Sequence, residues 1–365
     1  MIKLHTMIYL FILLGLNFSC VQNKSSKNNT SEINITNTEI SLDIINDTLK
    51  YSSGIRCILQ DSKGNYWFGS HQEGVCLFDG KNFTYFSIDD GLSDNQIRTI
   101  QEDQNGVIWF GTGYGVSSYK EGIIKNNTPK NAFTGYQPTI ECNWQLSKND
   151  LWIIEGNKSG VYRFDGQKLS YLAFPVQGDN SSFHLYGTTG FSKGKKGNLW
   201  IATYAAVFGY DGKSFEIIDD NFLGGSKESE ILHIRSILED SKGNLWIGNN
   251  GIGVLLKSGD STINFSEQNG LIHANSSGMG DPSPSGTLEH VFVIEEDSSG
   301  NIWFGDRDTG AWRYDGKSMV NYTIDNKLQT QMIWNIYEDK NENLLFAMAD
   351  GGVYIFNGNT FDRIL

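Results

Sequence analysis

The stretch IRTIQEDQNGVIWFGTGYGVSSYKEG, Ile97 to Gly122, decides the fold, because it returns as IRSILEDSKGNLWIGNNGIGVLLKSG from Ile234 to Gly259. Its tryptophan anchors the comparison. Trp67, Trp109, Trp152, Trp200, Trp246 and Trp303 recur in this context, and Leu345 holds the seventh place. The spacings are 42, 43, 48, 46, 57 and 42 residues. A repeat of this length is the mark of a solenoid or a propeller. Six residues before the anchor stand Asp61, Asp103, Asp240, Asp297 and Asp339, with Leu146 and Gly194 in the third and fourth copies. Two residues after it stand Gly69, Gly111, Gly248 and Gly305.

Each copy divides into four short strands. The IRSILED type comes first, then a D-x-x-G turn, and then WFGS, WFGT, WIGN or WFGD. The third strand is of the Gly74–Phe78 and Gly352–Phe356 type. It ends in a tight turn: Asp79-Gly80, Asp165-Gly166, Asp211-Gly212, Asp315-Gly316 or Asn357-Gly358. Such pairs signal hairpins, since both central residues tolerate positive φ. A fourth strand follows, as at Phe215–Ile218 and Phe361–Leu365. Four antiparallel strands in each of seven units predict an all-β, seven-bladed β-propeller over residues 51–365. One blade cannot bury both faces alone, so ring closure must supply neighbours. The first copy has its own four strands and the last ends in its fourth. Closure is therefore expected from blade contacts, with Ile40–Leu49 at hand to assist.

In the D-x-x-G-x-x-W pattern the Asp reads as the cap of an Asx-turn, with Gly at positive φ and Trp packed between blades. A calcium loop would need further spaced carboxylates. The sialidase Asp box has one residue between Asp and Gly, where this pattern has two.

The units I-R-x-I-x-E-D-x-x-G-x-x-W-x-G and G-V-x-x-Y-D-G resemble the two-component regulator propeller repeat, over roughly Gly54 to Leu365. The resemblance implies a propeller with a sensing or binding theme. In that family the repeats commonly build periplasmic sensor regions of hybrid histidine kinases, often two propellers in tandem and often responsive to glycans. This chain departs from that pattern, with one propeller and no stretch that reads as a kinase or DNA-binding domain. The expectation is sensing without phosphotransfer of its own.

Met1–Ser19 has a positive residue, Lys3, and an apolar run of 10 residues, Met7–Leu16. The run is too short to span a bilayer and reads as a secretory signal peptide. Leu16-Asn17-Phe18-Ser19-Cys20 resembles a bacterial lipobox, although Leu stands four residues before the Cys rather than three. Cys20 is thus the expected lipidation site; ordinary signal cleavage is the alternative. Residues 20–50 read as a polar tether. A protein held at a bacterial membrane by a lipid anchor, in the periplasm or on the outer-membrane surface, is the expected setting.

With 29 Lys and Arg against 42 Asp and Glu, the net charge is −13. That excludes a nucleic-acid partner bound through phosphates, which needs a basic surface. Aromatics at 13% argue against disorder. Cys57, Cys76 and Cys142 have no C-x-x-C spacing and read as buried thiols. No metal or other cofactor is expected, and no catalytic residue is assigned: H-E-x-x-H and G-x-S-x-G are both missing from the sequence. His233 and His290 each stand thirteen residues before an anchor, where loops of one propeller face could bring them together. They are candidate ligand contacts on that ground.

The sharpest candidate site is the column eleven residues before the anchor: Arg56, Arg98, Glu141, Thr189, Arg235, Phe292 and Trp334. It lies near the start of the strand that lines the channel. Two long inserts, Phe174–Gly190 and Asn269–Glu289, should overhang the same face, where binding residues concentrate. Arg56, Arg98 and Arg235 would offer forks to carboxylates, and Phe292 and Trp334 platforms for sugar rings. The opposing reading pairs each Arg with an acid of an adjacent strand, such as Glu102 or Glu239. The function expected is ligand binding or sensing, with a carbohydrate or other extracellular small ligand and an envelope partner such as a sensor kinase or transporter. The alternatives are an envelope scaffold and a propeller lyase or glycan-active hydrolase.

Overall fold

The computed structural model of the chain describes residues 49–129, 144–156, 158–176, 183–222, 232–274, 276 and 281–365. The expected signal peptide, Cys20, nearly all of the expected tether, Glu141 and Cys142 lie outside them. Six sheets have four antiparallel strands each, in sequence order from the channel outward. In the first blade these are Ile55–Gln60, Tyr66–Ser70, Val75–Phe78 and Phe83–Phe86. The third blade shows Leu151–Ile153, Gly160–Phe164 and Leu169–Ala173. Residues 130–143, which precede it, lie outside the described ones. The result is the seven-bladed, all-β propeller expected.

Burial follows strand position. Tyr66–Ser70, Ile108–Thr112, Leu245–Asn249 and their counterparts are buried at every residue, because a neighbouring blade covers each face. Such strands read as continuous apolar runs rather than alternating ones. Seven core clusters result, one per blade interface. Trp67 meets Phe110 and Tyr119 of the second blade. Trp246 meets Phe304 and Tyr314 of the sixth. Leu345 of the seventh joins Ile55, Tyr66 and Phe68 of the first, with Leu49, Tyr51 and Leu365. The glycines two residues past the anchor permit this approach: a Cβ on Gly69 would lie 2.6 Å from Ile97 Cγ2, and one on Gly305 2.9 Å from Ile333 Cβ.

The D-x-x-G turns carry a carboxylate clasp. Asp240 accepts the amides of Lys242 and Asn244, the side-chain amide of Asn244 and the indole N–H of Trp246. Asp61, Asp103 and Asp297 do the same for Trp67, Trp109 and Trp303. In the seventh blade, where Leu345 replaces Trp, Asp339 accepts the hydroxyl of Tyr66 from the first blade instead, at 2.6 Å. Gly64, Gly106, Gly243 and Gly300 take positive φ as expected, and Glu342 holds that place in the seventh blade with φ 63°.

A second clasp joins blades. The residue before each turn Asp reaches back to the preceding blade. Glu102 accepts from Ser62 N and Oγ, Glu296 from Ser241 N, and Glu338 from Ser298 N. Glu239 accepts the Trp200 indole at 2.6 Å, in the blade where Gly194 leaves no turn carboxylate. At the closure, Gln60 accepts Lys340 N at 3.0 Å, while Asn335 and Tyr337 hold the amides of Ile58 and Gln60. The ring thus closes through blade contacts, without strand exchange between the first and last sheets.

The tight turns differ from expectation in detail. Only the Gly takes positive φ, as at Gly80 and Gly212, at the first central position. That excludes a type I′ turn, which needs positive φ at both central residues. The preceding Asp stays at negative φ and caps the amides after it, as Asp79 does for Lys81 and Asn82. Cys57 and Cys76 are buried free thiols, as read.

Two outcomes follow. Trp246→Ala removes a 3%-exposed ring from an interface and should cost about 3–5 kcal/mol in urea unfolding; a loss below about 1 kcal/mol would refute its core role. Glu295 lines the channel without an acid-neutralising partner among the described residues. Burial, then Glu338 and Glu296, raise its pKa to about 8. A folded pKa above the unfolded value means stability present at low pH and lost as pH rises toward 8. Glu295→Gln should therefore raise Tm more at pH 8.5 than at pH 5, and equal shifts at both would contradict the assignment.

Candidate functional site

The innermost strands share an irregularity that aims the site. In six blades their pairing with the second strand slips by one residue: between Ile55 and Cys57, Ile97 and Thr99, Thr188 and Gly190, Ile234 and Ser236, Val291 and Val293, and Ile333 and Asn335. The extra residue of each bulge is Arg56, Arg98, Thr189, Arg235, Phe292 or Trp334, the column eleven residues before the anchor. A bulge leaves one residue unpaired and redirects its side chain. These six side chains and Tyr204 line one recess of about 70 Å³. Below it the channel widens to about 300 Å³ between the inner strands.

Two guanidinium groups rest on aromatic rings. Arg56 lies 4.4 Å from the Trp334 centroid, and Arg235 lies 4.2 Å from Phe292 and 5.5 Å from Tyr204. Arg98 packs against Gly156, where a Cβ would collide with its guanidinium. Among the described residues none of the three forms an ion pair. Glu102 and Glu239, the acids named as alternative partners, are engaged with the turns of neighbouring blades. The crowding of positive charge registers at Arg56, Arg235 and Tyr204. Burial, then Arg98 and Arg235, press the pKa of Arg56 down; burial does the same to Arg235. Burial alone would raise the Tyr204 phenol, yet Arg235 and Arg98 draw it below its usual value. Arg98 Nε, Thr189 Oγ1 and Trp334 Nε1 are buried with no hydrogen-bond partner.

The histidines divide. His233 is half-buried, stacks 5.0 Å from Tyr204 and contacts Asn250 Nδ2 through Nδ1 at 3.0 Å. Burial, then Arg235, lower its pKa to about 4. His290 does not open into the recess. It is fully buried, with Nε2 on the Asp281 carbonyl at 2.8 Å and Nδ1 on Asn250 at 3.0 Å. Asn250 thus bridges the two rings and occupies the nitrogens a shared ligand would need. Burial also lowers the His290 pKa. A neutral His290 that donates from Nε2 must accept at Nδ1, so the Asn250 amide is best oriented with its NH₂ toward His290. Among the described residues no group of His, Cys, Asp and Glu is arranged to hold a metal.

Sequence reading missed Tyr204 as a lining residue. His71 contacts Arg56 Nη1 at 3.2 Å and lies 4.8 Å from Trp334. Both Tyr204 and His71 stand four residues after their anchor. The signal was a second column, His71, Gly113, Gly156, Tyr204, Asn250, Arg307 and Ala349. In five of these blades its amide bonds the carbonyl thirteen before the anchor, as in His71 N to Gly54 O and Arg307 N to His290 O. That pairing holds the column beside the bulges. The described parts of the long insert before the sixth blade are tied down, with Glu289 accepting from His273 and Ser276.

Residues 52–72, 91–114 and 231–251 match the two-component regulator propeller family. No curated protein matches the chain. Among solved structures, the extracellular domain of a hybrid two-component system of B. thetaiotaomicron is similar at TM-score 0.61 and 21% identity, over 86% of this chain and 40% of that one. Virginiamycin B lyase from Staphylococcus aureus is similar at TM-score 0.58 and 15% identity, over 83% of this chain and 94% of that one. PorZ, a surface component of the type-IX secretion system of Porphyromonas gingivalis, is similar at TM-score 0.53 and 18% identity, over 85% and 48%. At these identities the likeness is one of fold. The shared fold, the matched segments and the recurrence of their motif around the ring agree: the chain carries two-component regulator propeller repeats on a seven-bladed propeller.

Proposed function

We propose that this propeller is a sensory, ligand-binding module of the bacterial cell envelope, and that it takes an anionic ligand at the mouth of its channel. One observation carries the reading. Three guanidinium groups converge on one recess with no acid among its lining residues, in a chain of net charge −13. Uncompensated buried charge is costly, so the arrangement is poor as a structural device and apt as a receptor for negative charge. The rings of Phe292 and Trp334 already carry Arg235 and Arg56, which preorganises the forks for an acidic glycan or another carboxylate-bearing compound. The repeat family supports the sensory theme. A separate envelope protein, a sensor kinase or a transporter, would receive the signal.

Changing Arg98 and Arg235 to Gln should abolish retention of the ligand found on a glycan array while leaving Tm unchanged. A fall of several degrees in Tm would mark the arginines as structural. Failure of the wild type to retain any acidic glycan would count against the reading.

We further propose that Cys20 carries the lipid that holds the module at the membrane, on the strength of Ser19-Cys20 and the polar stretch after it. Two acyl chains anchor stably where one does not. Cells fed radioactive palmitate should label the wild type and not Cys20→Ser; equal labelling would exclude the anchor.

A further inference from the structure

We propose that the recess is a seat for a tetrahedral oxyanion, a sulfate or phosphate monoester carried by the ligand, in preference to a lone carboxylate. The inference rests on the reading of the mouth as the ligand site and specifies the chemical group that enters it.

The first ground is donor inventory. A guanidinium has five N–H donors, all in its plane, and no acceptor. Stacking on an aromatic uses the face of that plane and leaves the N–H edges free. Arg56 on Trp334 and Arg235 on Phe292 are held in this manner, with one Arg56 N–H on His71 Nδ1 and Arg235 hydrogen-bonded to Tyr204, which takes up part of each edge. Around them stand Arg98 Nε, Thr189 Oγ1 and Trp334 Nε1, buried and unpartnered. An indole and a guanidinium can only donate. No carboxylate or carbonyl-bearing side chain is among the residues that line the recess. A site so rich in donors calls for a group rich in acceptors.

The second ground is the count of oxygens and charges. A carboxylate offers two oxygens and one negative charge, enough for one fork. It would leave two guanidinium groups without an anionic partner. A sulfate or phosphate monoester presents three terminal oxygens and an ester oxygen, spread over a tetrahedron, and can meet forks arriving from three blades. The three arginines come from the first, second and fifth blades, so their forks approach from different directions around the channel. A planar group cannot satisfy forks that do not share its plane.

The third ground is size. A recess of about 70 Å³ holds about five waters at 10–15 Å³ each. That suits the four oxygens of one oxyanion and is too small for a sugar ring, which would stay outside it. The floor is fixed by packing: Gly156 leaves just the room that Arg98 fills.

Isothermal titration of the full-length protein in chloride buffer at constant ionic strength tests this, with glucose 6-sulfate, glucose 6-phosphate and glucuronate as probes. At least one of the two esters should bind at least about tenfold more tightly than glucuronate, the size of one charge-assisted hydrogen bond. The tighter ester identifies which oxyanion is meant. Arg98→Gln and Arg235→Gln should each weaken that ester by at least about tenfold, and Lys213→Gln, in an exposed turn, should leave it unchanged. Arg98→Lys retains charge without the fork and serves if a Gln variant folds poorly; it should bind more weakly than wild type. Glucuronate equal to or tighter than both esters, but lost in the arginine variants, would overturn the oxyanion seat and leave the anionic-ligand reading standing. Equal weakening by Lys213→Gln would reduce the effect to general charge attraction and overturn it. No binding of any probe, together with no glycan retained on the array, would remove both.

Discussion

Two adjacent carboxylates, used in opposite directions, hold the ring together. The turn Asp binds its own blade: it satisfies amides that the turn leaves open and fixes the indole that forms the next interface. The preceding residue binds the blade before it, as Glu102 does Ser62 and Glu338 does Ser298. Most of the anchor indoles thereby receive a partner, and an unmet group costs its desolvation penalty; in the third blade, where Leu146 stands in the Asp place, the buried Trp152 N–H has none among the described residues. Substitutions obey the same rule. Where Gly194 removes the turn carboxylate, Glu239 of the next blade takes the Trp200 indole. Where Leu345 removes the indole, Tyr66 supplies a hydroxyl to Asp339. Lys193 replaces the carboxylate with an ammonium and turns to an acceptor, the Asp150 carbonyl, at 2.8 Å. The direction of the hydrogen bond changes and the tie between blades survives.

That rigid lower face frees the other end of the same strands. The inner strand begins in a bulge and ends in a clasp, so charge at the clasp is spent on structure while charge at the bulge faces the channel. Arg98 and Glu102 sit four residues apart on one strand and do not meet; neither do Arg235 and Glu239. Had they paired, the mouth would be neutral and the turns uncapped. The separation leaves a cationic mouth on an acidic protein, with the Tyr204 phenol beside it drawn below its usual pKa by Arg235 and Arg98. The Asn250 bridge between His233 and His290 gives that side of the mouth a fixed wall rather than a reactive one.

Much of the architecture was legible in the chain. The tryptophan register counts the blades, and Asp, Gly and Trp at set offsets have a local reason that sequence displays directly: caps, positive φ and buried strands act over six or seven residues. The column of Arg56, Arg98, Thr189, Arg235, Phe292 and Trp334 was legible too, because one position in each repeat occupies one place in the ring. The negative φ of the Asp in the tight turns was not, since Asp tolerates either sign and its carboxylate caps the amides after it from the negative one.

Sequence alone therefore determined the number of blades, the strands within each and the position that faces the mouth, because these depend on contacts inside one repeat. Tertiary structure decided which partner each side chain found. Whether Glu102 and Glu239 met an Arg or a neighbouring turn, whether His290 was a ligand contact or a buried strut, and that Tyr204 joined the recess all depend on distances between blades. Those distances arise only when the ring closes and every interface buries its core at once.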